Sequence, residues 1–358
     1  MKLCECMHPW YELNVSNDHQ IQCCCYLKKP TYMWKDFQTS LDFEKVWNGE
    51  GMQKVRTTVL SNNGIETTCD NCLFLELYNT NWQSQVSNDV NIIQRKNWET
   101  AIKYFNEGKT IIDTVPIRYY FKFGLACNLQ CIMCCQQTER KINKESLPSK
   151  KILELKEYLL PANEFSIMGG EPFIIPEAIQ FIDAITADAD FQDNKISIFT
   201  NGTMLHKYLD KLRNIKRVGI TISLDSIGDY YEHIRVGSTW SAIEKNIDLY
   251  KELVEKERLT WTLHIAAIVM KSTIPKIVEF VDWCISRDAP VHFVPLSSTI
   301  TTGTEEEDIY KNPELLKNIP DWENKLDIAI NKVEAMNWDS TLRIIKNQLK
   351  ELTNGNKR

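Results

Sequence analysis

Apolar runs of strand length alternate with amphipathic stretches of helical period from about residue 113 to residue 297. The strand-like runs are 117–123, 164–168, 195–200, 217–224, 261–270 and 291–296. Between them, 150–160, 177–187, 204–215, 241–257 and 275–287 carry apolar residues at helical spacing. In the first of these Ile152, Leu153, Leu155 and Leu159 mark the buried stripe and Pro161 ends it. Repeated βα units need parallel strands with right-handed crossovers, so the pattern predicts an α/β fold. Six such units suit a partial (βα)6 TIM-like barrel, in which sites lie at the C-terminal ends of the strands.

The flanks are patterned differently. Residues 11–15 and 21–23 suit a hairpin across the polar turn Ser16-Asn17-Asp18-His19. Two short helices, 43–47 and 52–59, are interrupted at Gly49 and Gly51. A helix over 97–107 closes at Gly108, within a connector that also holds Trp82. After 297 a polar, acidic stretch leads to helices at 313–316, 322–336 and 341–352. The last is amphipathic through Leu342, Ile345 and Leu349. This predicts a small cysteine-rich segment (1–112), a barrel core (113–297) and a helical C-terminal extension (298–358).

A length of 358 residues, 43% of them hydrophobic, suits a large domain with a smaller one. The net charge of -6 weighs against nucleic acid as the main partner. No apolar stretch is long enough to span a bilayer, and Met1-Lys2-Leu3-Cys4-Glu5-Cys6 lacks a signal-peptide core, so a cytoplasmic location is expected. Cytosolic thiols stay reduced, which turns twelve cysteines from disulfides into candidate metal ligands. Eleven fall into four groups: Cys4/Cys6, Cys23/Cys24/Cys25, Cys69/Cys72 and Cys127/Cys131/Cys134/Cys135. Cys284 stands alone on a helix and reads as packing.

Cys127, Cys131 and Cys134 are spaced C-x3-C-x2-C directly after the first core strand. Three thiolates within eight residues can wrap one corner of a cubane and leave one iron open to a chelating substrate. Met168-Gly169-Gly170-Glu171-Pro172 follows the next strand, where two glycines admit close approach to a ligand. Phe199-Thr200-Asn201-Gly202-Thr203 ends the third strand, and Ser223-Leu224-Asp225-Ser226 with Arg235 the fourth. Asn201 is a pocket residue or part of a turn capped by Thr203.

In this order the motifs resemble those of the radical S-adenosylmethionine (SAM) enzymes. The resemblance implies a [4Fe–4S] cluster on Cys127, Cys131 and Cys134, with SAM on its open iron. Reductive cleavage of SAM would give a 5'-deoxyadenosyl radical that abstracts hydrogen from a substrate. It implies that Gly169, Gly170 and Glu171 hold the SAM ammonium group. Ser223 would hold its carboxylate or ribose, Asp225 the ribose or the substrate, and Arg235 the carboxylate, and Met133 would face adenine, as would the wall Val294-Pro295-Leu296. For Met133 and the wall, core packing is the competing reading; for Arg235 it is a surface salt bridge. Cys135 reads as a non-ligand.

The first segment resembles the auxiliary-cluster twitch half of a SPASM domain. Cys6-Met7-His8-Pro9-Trp10 matches its opening, Cys24 or Cys23 the second cysteine, Val46-Trp47-Asn48 with Met52 and Arg56 its helix pair, and Cys69 and Cys72 its C-x2-C. The Asp-Gly usual in its turn is Asp18-His19 here, and the module precedes the barrel. The resemblance implies a second iron–sulfur cluster on Cys6, Cys24, Cys69 and Cys72, with Cys4, Cys23 and Cys25 as rival ligands. A structural zinc knot is the alternative. Twitch and SPASM relatives point first to a peptide or protein substrate and to an electron donor such as flavodoxin or ferredoxin. A small-molecule or RNA substrate, and a non-catalytic iron–sulfur or zinc protein, are the other readings.

Overall fold

This computed structural model describes residues 6–24, 27, 29–61, 90–296, 305–338 and 341–354. The chain forms two compact units. Unit one comprises Met1–Leu125, Lys144–Ile198 and Asp210–Val218, and unit two Ala126–Asn143, Phe199–Leu209 and Gly219–Arg358.

Unit one is built on strands β1 (Glu12–Ser16), β2 (Gln20–Gln22), β3 (Tyr32–Met33), β4 (Arg118–Lys122), β5 (Glu164–Met168) and β6 (Lys195–Thr200, which runs past the unit's end). Their order is β3-β2-β1-β4-β5-β6. The expected hairpin forms, with Asn14 opposite Gln22 and Val15 opposite Ile21. His19 closes its turn at φ 66°, the left-handed region that glycine would enter without strain. β1 then lies parallel to β4, and β4 parallel to β5.

Side chains alternate across these strands, and the two faces differ. One face carries Tyr119, Phe121, Phe165, Ile167, Ile196 and Ile198, all buried. Phe181, on the helix Pro176–Ala187, packs into it with ring centroids 5.2 Å from Phe121, 5.3 Å from Phe123 and 5.9 Å from Phe165. The other face opens with a charged row. Glu12, Arg118, Glu164 and Lys195 begin their strands side by side, in register. Arg118 lies 3.7 Å from Glu12 and 3.4 Å from Glu164, and Lys195 lies 3.8 Å from Glu164. Burial pushes the Glu12 carboxyl up to about 7 against the pull of Arg118. Burial would raise Glu164 too, but Arg118 and Lys195 overrule it and hold that carboxyl at about 2.

Unit two contains β7 (Val218–Ser223, of which Val218 falls in unit one), β8 (Thr262–Val269) and β9 (Val291–Pro295), in parallel order. Its helices Trp240–Glu257 and Ile277–Ser286 follow β7 and β8, as the periodicity predicts. The helical C-terminal region is present as Trp322–Ala335 and Thr341–Thr353, and the latter buries Leu342, Ile345 and Leu349. The class is therefore α/β with mostly parallel strands, nine among the described residues. No helix among them is long and apolar enough to cross a membrane.

Three helices depart from expectation. The stretch 150–160 forms two pieces, Ser149–Leu153 and Lys156–Leu159, interrupted at Glu154 and Leu155. The stretch 204–215 forms a 3-10 turn, Leu205–Lys207, and one α turn, Leu209–Leu212. Gly51 lies inside the helix Glu50–Ser61 and does not break it; the position needs glycine because a Cβ there would stand 2.0 Å from the Thr31 carbonyl oxygen.

Two outcomes follow. Phe181→Ala empties the aromatic core of unit one and should cost about 3–5 kcal/mol in urea unfolding. The folded state keeps a proton on Glu12 that the unfolded state loses above pH 4.5, so this residue weakens the fold as pH rises from 4.5 to about 7. Glu12→Gln should therefore raise the melting temperature above neutral pH and change it little below pH 4.5. Equal gains at both ends of that range would contradict the assignment.

Candidate functional site

The cysteine loop in unit two is held by main-chain bonds to the end of the helix Gly228–Ile234 and the segment that follows it. Gln130 N donates to Val236 O at 2.8 Å and Ile132 N to Ile234 O at 3.0 Å. Gly237, at φ 103°, allows that segment to pass Asn128 and Leu129, whose nearest atoms lie 3.4 Å from its Cβ position. A turn bond from Cys134 N to Cys131 O (3.0 Å) and a bond from Gln137 Nε2 to the same oxygen (2.6 Å) shape the rest. Leu129, Cys131 and Met133 point into an apolar cluster with Ile234, Met270 and Leu296, and Cys127 and Cys134 pack against it. Met133 and Leu296 are thus core side chains as well as candidate adenine neighbours.

Each of the three sulfurs accepts an N–H. Cys127 Sγ accepts from Leu129 N (3.5 Å) and from Asn201 Nδ2 (3.7 Å). Cys131 Sγ accepts from Arg235 Nη1 (3.6 Å), and Cys134 Sγ from Arg140 Nη2 (3.5 Å). Asn201 also donates to Asn128 Oδ1 at 3.0 Å and accepts from Thr203 N at 3.0 Å. It is therefore at once the turn residue and a neighbour of Cys127. Burial pushes the Cys131 thiol up, opposed by Arg235.

Asp225 is the buried hub. It sits at φ 69°, accepts from Arg235 Nε at 2.5 Å and from Ile268 N at 2.8 Å. Burial opposes the charge on Arg235, but the Asp225 carboxylate overrides it and keeps the guanidinium protonated. Ser223 is half-buried at the end of β7, opposite Ala266. Ser226 is fully buried, and its hydroxyl has no hydrogen-bond partner among the described residues.

Unit one carries the glycine loop. Gly169 adopts φ 139°, and a Cβ there would lie 2.4 Å from Gly124 O. Gly170 N donates to that oxygen at 3.0 Å. Glu171 is fully buried and accepts from Phe173 N at 3.2 Å. No side chain other than hydrogen fits at Gly169, so its glycine is a backbone requirement of the loop.

Among the described residues no three His, Cys, Asp or Glu side chains converge as a metal site. The donor set nonetheless fits an iron–sulfur cluster in its chemistry. Three soft sulfurs share one short loop, an apolar cluster backs them, and N–H donors meet every sulfur.

In the first segment Cys6 and Cys24 are half-buried and Cys23 is buried. Cys23 lies near the buried Arg56, whose charge burial disfavours (down to about 9) and Cys23 favours. Arg56 donates to Pro9 O at 3.0 Å and to Thr110 O at 2.8 Å. His8 is buried and pushed down to about 3 by burial, so it packs as a neutral ring. Cys4, Cys25, Cys69 and Cys72 lie outside the described residues. Arg140 escaped the sequence reading. Its signal is a basic residue in the helix that starts right after the cysteines, Gln136–Ile142.

A family model matches this part of the chain. The match is to the Radical SAM superfamily, over residues 121–284. It covers the three cysteines, the glycine loop, Asn201, Asp225 and Arg235, and supports that superfamily for the core. The match begins at residue 121 and leaves the twitch-like first segment outside it. A probable GTP 3',8-cyclase of Methanococcus aeolicus is 29% identical over 163 residues, which is 44% of this chain and 52% of that protein. The GTP 3',8-cyclase of Alkaliphilus oremlandii is 27% identical over 175 residues, 48% of this chain and 53% of that one. The chain thus spans about half the length of these curated relatives. Streptococcus suis SuiB bound to S-adenosylmethionine shares 17% identity over 64% of this chain and 53% of its own, at a TM-score of 0.46. At that score it adds nothing to the fold read from the strands.

Asp225→Asn should leave the Arg235 charge buried without its counter-ion and cost about 3–5 kcal/mol in denaturant unfolding. Adding Arg235→Met to it should recover part of that loss. Additive losses in the double variant would show that the two side chains are not coupled.

Proposed function

We propose that this protein is a radical SAM enzyme. The three cysteine sulfurs on one loop, each met by an N–H donor against an apolar wall, carry the reading. The superfamily match over residues 121–284 supports it. Cys127, Cys131 and Cys134 hold a [4Fe–4S] cluster; when bound and reduced, it supplies the electron that cleaves SAM and so the hydrogen-abstracting chemistry. Gly169, Gly170 and Glu171 receive the SAM ammonium group. Asp225 fixes Arg235 through Nε, and Nη1 reaches Cys131, which leaves Nη2 for the SAM carboxylate. Asn201 steadies Cys127, Ser223 offers a polar contact to the ribose, the buried Asp225 acts through Arg235, and Met133 and Leu296 back the adenine.

The substrate reading favours a small molecule. The curated relatives are named as GTP 3',8-cyclases, which supports a nucleotide such as GTP as the first candidate. The peptide substrate rests on the twitch-like cysteines alone. Residues 1–112 hold a second cluster on Cys6, Cys24, Cys69 and Cys72 in this reading. A flavodoxin or ferredoxin supplies the electron.

Reconstituted without oxygen and given a strong reductant, the protein should convert SAM to 5'-deoxyadenosine and methionine. Replacing Cys127, Cys131 and Cys134 by Ala should abolish this, and cleavage that persists would refute the mechanism. GTP should accelerate 5'-deoxyadenosine release if the nucleotide reading is right; no response to GTP returns the peptide to first place. Fully loaded protein should hold about eight irons, four per cubane. Cys69→Ala with Cys72→Ala should remove about half of them, whereas one zinc at that site would identify a structural knot.

A further inference from the structure

We propose that Arg140 is a positioning residue for the iron–sulfur cluster, holding Cys134 through its guanidinium and raising the cluster's affinity for an electron. The inference rests on the proposed function above. Arg140 reaches back from the helix Gln136–Ile142 and makes two contacts with the cysteine loop. Nη1 donates to Leu129 O at 2.9 Å, and Nη2 to Cys134 Sγ at 3.5 Å. One planar fork thus ties the middle of the loop to its last cysteine, a geometry that a lysine cannot reproduce.

The donors at the three sulfurs differ in charge. Cys127 meets two neutral N–H groups, from Leu129 and Asn201. Cys131 meets the Arg235 guanidinium, which is also bound to the Asp225 carboxylate at 2.5 Å. Cys134 meets the second guanidinium. Reduction adds one negative charge to a cluster whose thiolates are already anionic. An N–H···S bond from a guanidinium to one thiolate stabilises the reduced form more than the oxidised form. Arg140 therefore eases the uptake of the electron on which SAM cleavage depends, without touching SAM.

The test is a redox titration of the reconstituted protein, followed by electron paramagnetic resonance of the reduced cluster, with iron content and SAM affinity measured alongside. The Cys69→Ala, Cys72→Ala background removes the second cluster's signal. Arg140→Gln with full iron at the core site should show a more negative midpoint potential and unchanged SAM affinity. Arg140→Lys, which keeps the charge but not the fork, should lie between it and the unsubstituted protein. A fully loaded Arg140→Gln protein whose potential has not moved overturns the proposal, since a purely structural staple would leave it there. Should Arg140→Gln fail to load, Arg140→Lys decides: a loaded protein with potential near the unsubstituted value supports the charge effect. A loaded Arg140→Lys protein shifted strongly negative overturns it. Unsubstituted protein that takes up no core cluster overturns the proposed function, and this inference with it.

Discussion

The cysteine loop depends on the Asp225–Arg235 pair. Asp225 is buried at a left-handed backbone position, and a charge there is tolerable only with a partner as close as Arg235. The pair sets the start and end of the segment 225–235. Ile234 near its end and Val236 just after it supply the two carbonyls on which Ile132 and Gln130 hang. One ion pair is thus linked to the placement of Cys131 both through the backbone and through the guanidinium itself.

Unit one solves a different problem with the same physics. Its strands begin with four ionisable residues of alternating sign, in register, on a face that is largely removed from water. Arg118 cannot satisfy both neighbours equally. Glu164, with Lys195 on its far side, keeps its charge, while Glu12 is left with the weaker share and holds a proton up to neutral pH. The opposite face of the same strands is all aromatic and aliphatic, and Phe181 closes it.

Much of the fold was legible because strands buried on one or both faces write long apolar runs. β5 and β6 fall on the residues that the pattern marks, 164–168 and 195–200. The broken helices at 149–159 and 205–212 were not legible. Helical period shows which face is apolar, but not whether neighbouring strands leave room for unbroken turns. Gly51 was misread for a related reason: its glycine serves a close approach by Thr31, not a helix end.

The sequence by itself determined the chemistry available: three thiols at C-x3-C-x2-C, a glycine loop after the next strand, and an Asp and an Arg ten residues apart. Spacing along the chain carries that much because a loop of eight residues constrains its own side chains. The tertiary structure alone decided the partners. Arg235 serves Asp225 and Cys131 before any ligand arrives, Asn201 joins its turn to Cys127, and Arg140 emerges as the donor to Cys134. Hydrogen bonds act over about 3 Å in space, and residues 104 positions apart, as Arg235 and Cys131 are, meet only when the backbone between them has folded.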